Sequence, residues 1–139
     1  TRRYYLKRYH LKDEAIQPLP LRPQNQAYVD YMLRTAQNAD DAADCMMACM
    51  PCMLSYGWIF GQLLKTAPAV QSSPYATFVN DYAGNRYDSI CKAWADFTEA
   101  ACANATPERR AHRMVIFRSC SQHELHFWEM AARPRTDLD

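Results

Sequence analysis

Glycine is scarce in this chain, and net charge is almost absent. Only 3 of the 139 residues are glycine, and few segments alternate polar and apolar side chains as strands do. The 16 basic and 15 acidic residues leave a net charge of +1, which argues against nucleic acid or an anionic membrane as a partner. Hydrophobic residues make up 49% of the chain. We therefore predict one all-α domain over residues 1–139.

The six cysteines lack the pattern of a disulfide framework. Cys45, Cys49 and Cys52 lie on one apolar segment, and no signal peptide is visible. We therefore predict free thiols and a cytoplasmic location. The C-x3-C-x2-C spacing matches that of some iron–sulfur enzymes, but such a cluster needs its thiolates on a loop. We predict instead that Cys45 and Cys49 pack in the core, and that no cofactor or metal is bound.

Residues 45–64 carry no charged side chain, and a segment of this length can span a membrane. Polar residues, a proline and two glycines dilute its hydrophobicity, and the mean hydropathy of the chain is −0.46. The central helix of a bundle has the same uncharged character. We predict a central helix and no membrane partner.

Proline and capping residues predict the helix boundaries. The chain begins as the end of a helix without an N-terminal cap. Further predicted helices start after caps at Asp41, Ser73 and Thr106. The predicted helices cover about residues 1–9, 24–37, 42–67, 74–102 and 107–132, followed by a polar tail over 133–139.

Cys52 is the candidate nucleophile of the central helix. Pro51 lacks a backbone N–H and presses on the carbonyl of Met47, so we expect a kink that leaves unpaired backbone groups beside the thiol. Such groups can stabilise a thiolate. Tyr56 lies one turn further along the same face. This pattern indicates a reactive cysteine.

Glu124 is an unexpected carboxylate in the last predicted helix. It lies in an apolar stripe made by Met114, Phe117, Cys120, Phe127 and Trp128. Burial favours the neutral form of a carboxyl group, which suits a proton donor and acceptor near neutral pH. The stripe is also compatible with a glutamate paired with arginine or capped by hydroxyls. His123 and His126 lack a third ligand, so we predict no metal site.

Four segments carry a resemblance to a known family. They are AYVDYMLR at 27–34, PCMLSYGWIFGQLL at 51–64, YATFVNDYAG at 75–84 and SQHELHFWEMA at 121–131. In order and spacing they resemble the TenA/thiaminase II proteins. The resemblance implies a haem-oxygenase-like helical bundle and an aminopyrimidine aminohydrolase of thiamin salvage. Such an enzyme hydrolyses 4-amino-5-aminomethyl-2-methylpyrimidine to the hydroxymethyl compound and cleaves thiamin more slowly.

The resemblance also implies a role for particular residues. Cys52 matches the family's nucleophile, and Glu124 matches its acid/base carboxylate. Tyr28, Tyr56 and Tyr82 match tyrosines that stack on the pyrimidine or hydrogen-bond near the thiol. A tyrosine-lined pocket suits a planar heteroaromatic ligand. The implied partner is an aminopyrimidine or thiamin, and the implied assembly is a homo-oligomer, a tetramer by resemblance.

The family's N-terminal third, with an aspartate and a further tyrosine of the pocket, has no counterpart in these residues. We therefore expect the chain to be the C-terminal two thirds of a TenA-like domain. Two other hypotheses stay open. One is a non-catalytic pyrimidine- or thiamin-binding regulator. The other is a helical interaction module in which Cys52 and Glu124 are only packed.

Overall fold

A computed structural model describes residues 1–136. Over this range the chain forms seven α-helices and one 3-10 helix and contains no strand. The helices are α1 (Arg2–Arg8), α2 (Asp13–Ile16), α3 (Pro23–Gln37), α4 (Ala42–Thr66), α5 (Ala76–Tyr82), α6 (Asn85–Cys102) and α7 (Pro107–Ala131), with the 3-10 helix at Pro68–Ser72. The prediction of an all-α fold is confirmed.

Helix α4 is the centre of the bundle. It packs against α3, α5, α6 and α7, and its N-cap Asp41 accepts a hydrogen bond from the backbone N–H of Ala43 at 2.9 Å. The helix continues through the buried Pro51. By length and composition α4 is the one helix within residues 1–136 that could cross a membrane. The main core cluster lies along it and consists of Tyr28, Met47, Ala48, Met50, Ile116 and Cys120.

The predicted helix over 74–102 is wrong in two respects. Gly84 has a φ of 108°, a conformation that side-chain-bearing residues rarely adopt, and it divides the segment into α5 and α6. The predicted N-cap Ser73 lies outside α5, which begins at Ala76. Its hydroxyl accepts from the N–H of Tyr75 instead. The sequence therefore predicts one continuous helix where the structure has two, α5 and α6.

Other boundaries agree with the sequence. The predicted cap of the last helix is present, because Thr106 accepts from the N–H of Arg109 at 3.2 Å. Helices α1, α3 and α7 lie within about two residues of their predicted limits. The short α2 and the 3-10 helix were not predicted. Of the predicted polar tail, residues 137–139 lie outside the described residues.

A buried ion-pair network joins the N-terminal ends of α4 and α7. Asp44 is 1% exposed and accepts from Nε of Arg113 at 3.2 Å and from Nη2 of Arg109 at 2.6 Å. Arg113 is itself only 3% exposed. Burial alone would raise the pKa of Asp44, but the hydrogen bond from Arg113 and the charge of Arg109 lower it below its ordinary value. The network fixes how α4 and α7 are aligned.

Removal of the Asp44 charge is expected to destabilise the fold. The substitution Asp44→Asn removes one of the two carboxylates paired with the buried guanidinium of Arg113, Asp41 being the other, and breaking a buried ion pair costs at most about 3 to 5 kcal/mol. Urea denaturation at pH 7 measures the change in unfolding free energy. The matched control is Asp96→Asn, which breaks the exposed Lys92–Asp96 pair and is expected to cost less than about 1 kcal/mol.

The same network gives the stability a pH dependence of known sign. Because the folded pKa of Asp44 is lowered from 3.8, its contribution is present above that value and is lost as pH falls through the folded pKa. Stability curves of the wild type and Asp44→Asn should converge at low pH. Parallel curves down to pH 2 would contradict this assignment.

Candidate active site

The site brings together α4 and α7 at Cys52 and Glu124. Cys52 is half-buried, and Glu124 is 6% exposed. Burial first, and then the adjacent Glu124 carboxylate, raise the pKa of the Cys52 thiol to about 12. The thiol is therefore neutral near pH 7, and the expectation of a stabilised thiolate is wrong for this structure. Loss of hydration and a neighbouring negative charge both oppose ionisation.

Glu124 has no compensating cation. No ion pair to this carboxylate occurs within residues 1–136, so the alternative of a glutamate paired with arginine is wrong there. Its atom Oε2 is buried and lacks a hydrogen-bond partner in the same range. Buried polar atoms are nearly always satisfied. An orphaned carboxylate oxygen is therefore unusual, and it sets Glu124 apart as a candidate functional group.

Tyr28 lies on the other side of Glu124. It is 7% exposed, and its ring stacks on His123 with 5.3 Å between centroids and 7° between planes. Burial and the carboxylate charge raise the pKa of the Tyr28 hydroxyl. The Tyr28 hydroxyl also has no hydrogen-bond partner in the described chain. It therefore lies near the Glu124 carboxylate without forming a well-aligned hydrogen bond to it. Tyr28 thus adds a second unsatisfied polar group beside the thiol.

An aromatic cluster, called the aromatic wall below, lies beside Cys52. The ring of Tyr56 lies 5.0 Å from that of Tyr82 and 5.2 Å from that of Trp128, measured between centroids. Phe60 and Phe78 contact the same tyrosines. Burial and the proximity of Cys52 raise the pKa of both Tyr56 and Tyr82. All five residues singled out from the sequence are therefore neighbours in this region.

Trp128 was not recognised as a site residue from the sequence. It follows Glu124 by one helical turn on α7, and its indole Nε1–H is buried without a hydrogen-bond partner in residues 1–136. The sequence offered a signal, since position i+4 from a functional residue shares its face. Trp128 was instead counted only as part of the apolar stripe.

His123 and the other cysteines of α4 and α7 pack against protein groups. The His123 ring contacts Tyr28 and also lies 5.2 Å from the ring of Tyr31. Cys45 and Cys49 are half-buried free thiols, whereas Cys120 is fully buried. No group of three or more His, Cys, Asp or Glu side chains within the described range is arranged to hold a metal ion.

The chemistry available is that of a thiol, a carboxylate and two further hydrogen-bonding groups beside aromatic rings. The thiol can add to an electron-poor carbon, and the carboxylate can accept and return a proton. The Tyr28 hydroxyl and the Trp128 N–H can bind polar edges of a ligand, and the rings of Tyr56 and Tyr82 can pack on its flat face.

A family model matches nearly the whole chain. The model of the TENA/THI-4/PQQC family matches residues 3–134. The chain belongs to this family. The match covers every helix that contributes to the site.

Curated relatives of this TenA-family chain are distant in sequence. An aminopyrimidine aminohydrolase of Halalkalibacterium halodurans is 27% identical over 96% of this chain and 59% of its own length. An uncharacterised protein of Haemophilus influenzae is 27% identical over 75% of this chain and 48% of its own length. The multifunctional thiamine biosynthesis protein ThiED of Corynebacterium glutamicum is 27% identical over 77% of this chain and 14% of its own length.

A solved structure has the same fold. The TenA family transcription regulator of Silicibacter sp. TM1040 superposes with a TM-score of 0.79 at 24% identity, over 92% of this chain and 58% of that chain. The chain spans about half the length of the two curated relatives from Haemophilus influenzae and Halalkalibacterium halodurans. The comparison shows the TenA helical fold.

Neutralising Glu124 is expected to make Cys52 more reactive towards alkylation. In Glu124→Gln one cause of the raised thiol pKa is removed, so the pKa falls and the thiolate fraction at pH 8 rises by about tenfold per unit of pKa. Iodoacetamide labelling at Cys52, localised by fragment-ion mass spectrometry, measures the rate.

The control for this labelling is Glu129→Gln, an exposed glutamate on the same helix, which should leave the rate unchanged. In the wild type the rate should keep rising above pH 9, since the thiol pKa is about 12. A plateau reached by pH 9, or equal rates in both variants, would contradict the coupling of Cys52 and Glu124.

Proposed function

We propose that this TenA-family chain carries the catalytic thiol and carboxylate of an aminopyrimidine aminohydrolase of the thiaminase II type. The observation that carries the proposal is the buried Glu124, whose Oε2 has no partner in residues 1–136 and whose charge acts on Cys52. The curated relative named an aminopyrimidine aminohydrolase and the thiamine biosynthesis protein support the substrate class. The substrate is 4-amino-5-aminomethyl-2-methylpyrimidine, with thiamin as a poorer one.

Recognition would use the aromatic wall and the unsatisfied polar groups. A pyrimidine is flat and electron-poor, so it packs well against tyrosine rings such as Tyr56 and Tyr82. Its amino group and ring nitrogens offer donors and acceptors at the edge. Glu124 and Tyr28 would bind that edge, which would supply the hydrogen bonds that they lack in the described chain.

The first chemical step is addition of the Cys52 sulfur to a ring carbon. Because the thiol pKa is about 12, its proton must leave as the C–S bond forms, and the adjacent Glu124 is the base that accepts it. The ring electrons move onto a ring nitrogen. In this scheme Cys52 becomes a nucleophilic thiolate only when the ring carbon that it attacks is present.

The second step expels the amine and admits water. Glu124 returns the proton to the exocyclic amine, the C–N bond at the methylene breaks, and ammonia leaves. Water then adds to the methylene carbon and gives up one proton to Glu124. The ring expels the sulfur, and Glu124 returns that proton to it as the C–S bond breaks. The net reaction consumes one water and releases one ammonia, and Glu124 ends in its initial state.

The location, assembly and partners of the protein are also proposed from the family resemblance. The enzyme would work in the cytoplasm as a homo-oligomer, a tetramer by resemblance, without a cofactor, nucleic acid or membrane partner. Several large apolar side chains are exposed on α6 and α7, with Phe97 52%, Val115 58% and Leu125 58% exposed, which supports burial in an assembly. Sedimentation velocity on the intact protein tests the oligomeric state.

Loss of the thiol is expected to abolish turnover. Cys52→Ser replaces sulfur by a poorer nucleophile of similar size, and Glu124→Gln removes proton transfer, so each should lower kcat by about 100-fold or more. An ammonia-release assay with the aminopyrimidine on the intact protein measures the loss. Cys45→Ser, a half-buried thiol on the same helix, should stay within about twofold of the wild type.

Full activity in Cys52→Ser would refute the proposed mechanism. Tight binding of the aminopyrimidine by calorimetry with no ammonia release would favour a non-catalytic binding protein or regulator. Absence of both binding and turnover would favour a helical interaction module.

A further inference from the structure

Tyr87 in the first turn of α6 contacts α4 beside Cys52. Its hydroxyl donates a hydrogen bond to the backbone carbonyl of Met53 at 3.2 Å. The thiol of Cys91, one turn later, lies 3.6 Å from the same oxygen. In a regular helix this carbonyl also accepts from the N–H of residue 57, and a carbonyl has two lone pairs to share. Helix α6 is therefore bonded to α4 one residue after Cys52.

Gly57 makes this approach possible. A Cβ at Gly57 would lie 3.3 Å from Cε1 of Tyr87, a tight contact that the ring could relieve only by shifting a few tenths of an ångström, and 3.4 Å from Sγ of Cys91, which is an ordinary contact. The missing side chain lets the tyrosine ring lie directly against α4. By contrast, a Cβ at Gly61 would meet nothing within 4 Å.

Tyr87 also supports the aromatic wall. Its ring packs edge to face against that of Tyr82, with 5.3 Å between centroids. The break at Gly84 is what allows both tyrosines to face α4. On one continuous helix residues 82 and 87 would point about 140° apart, so the helix predicted from the sequence could not have brought both rings to the site.

We propose that Tyr87 is a positioning residue, which fixes the Cys52 turn of α4 through the Met53 carbonyl and holds Tyr82 against the site. This inference deepens the proposed function and rests on it for its kinetic readout. The pKa of Tyr87, raised to about 12 by burial and by neighbouring Cys91 and Cys52, agrees with a position next to the thiol. Tyr87 acts through its neighbours and takes no part in proton transfer.

The test is Tyr87→Phe, which removes the hydroxyl and keeps the ring. A hydrogen bond of about 1 kcal/mol corresponds to about fivefold, so kcat of the intact protein should fall by about fivefold while KM changes by less than about twofold. Because the Cys52 turn is less restrained, iodoacetamide should label Cys52 about fivefold faster at pH 8. Labelling of Cys102, which lies at the far end of α6, should not change.

A second pair of variants keeps the Tyr87 hydroxyl and tests the contact of its ring with α4. Gly57→Ala requires the Tyr87 ring to shift by a few tenths of an ångström, whereas Gly61→Ala makes the same chemical change one turn later and meets nothing within 4 Å. Alanine favours a helix over glycine at both positions, so a loss confined to Gly57→Ala reports the contact with Tyr87. The Gly57→Ala protein should change kcat and Cys52 labelling in the same direction as Tyr87→Phe, and Gly61→Ala should match the wild type.

The inference is overturned if Tyr87→Phe leaves both kcat and the Cys52 labelling rate within twofold of the wild type. Equal acceleration at Cys102 would also overturn it, because that result indicates general loosening. If Cys52→Ser keeps full activity, the proposed function fails, yet the labelling comparison still decides whether Tyr87 fixes the α4 turn.

Discussion

Two buried carboxylates lie along the contact between α4 and α7, and only one of them is neutralised. Asp44 is held by Arg109 and Arg113, so its charge is fully compensated. Further along the same pair of helices, which run in one direction, Glu124 lies beside Cys52 with Oε2 unpartnered in the described chain. The first carboxylate aligns the helices, and that alignment makes it possible to hold the second against the thiol without a counter-charge.

Most of the fold follows from signals that are local in the sequence. The cap Thr106 depends on neighbours within one turn, and the uncharged run of α4 is one continuous segment of sequence; both agree with the structure. The break at Gly84 is different. Helix-forming residues continue on both sides of it, and one glycine within such a run usually lowers stability without ending a helix. Contacts of α5 and α6 with α4, which no local pattern contains, decide that the chain turns there.

The structure brings together the residues that the sequence predicted for a site, but their electrostatics could not be predicted. Spacing and family resemblance led to Cys52, Glu124 and three tyrosines, because motifs preserve identity and order. The state of the thiol could not be read in the same way. Pro51 suggested unpaired donors that would favour a thiolate, but the larger effects come from burial and from a carboxylate on α7. Both depend on tertiary packing, as does the contact of Tyr87 with Met53.

Unsatisfied polar groups at this site lower the stability of the fold. Each buried donor or acceptor without a partner costs about 1 to 3 kcal/mol, and three such atoms, on Tyr28, Glu124 and Trp128, gather here. A ligand that satisfies them recovers that free energy on binding, which favours a flat molecule with polar edges over an aliphatic one. The hydrogen bond from Tyr87 of α6 lies next to this group of atoms. It ends on the α4 backbone beside Cys52 rather than on a flexible side chain, which suits the positioning role proposed for Tyr87.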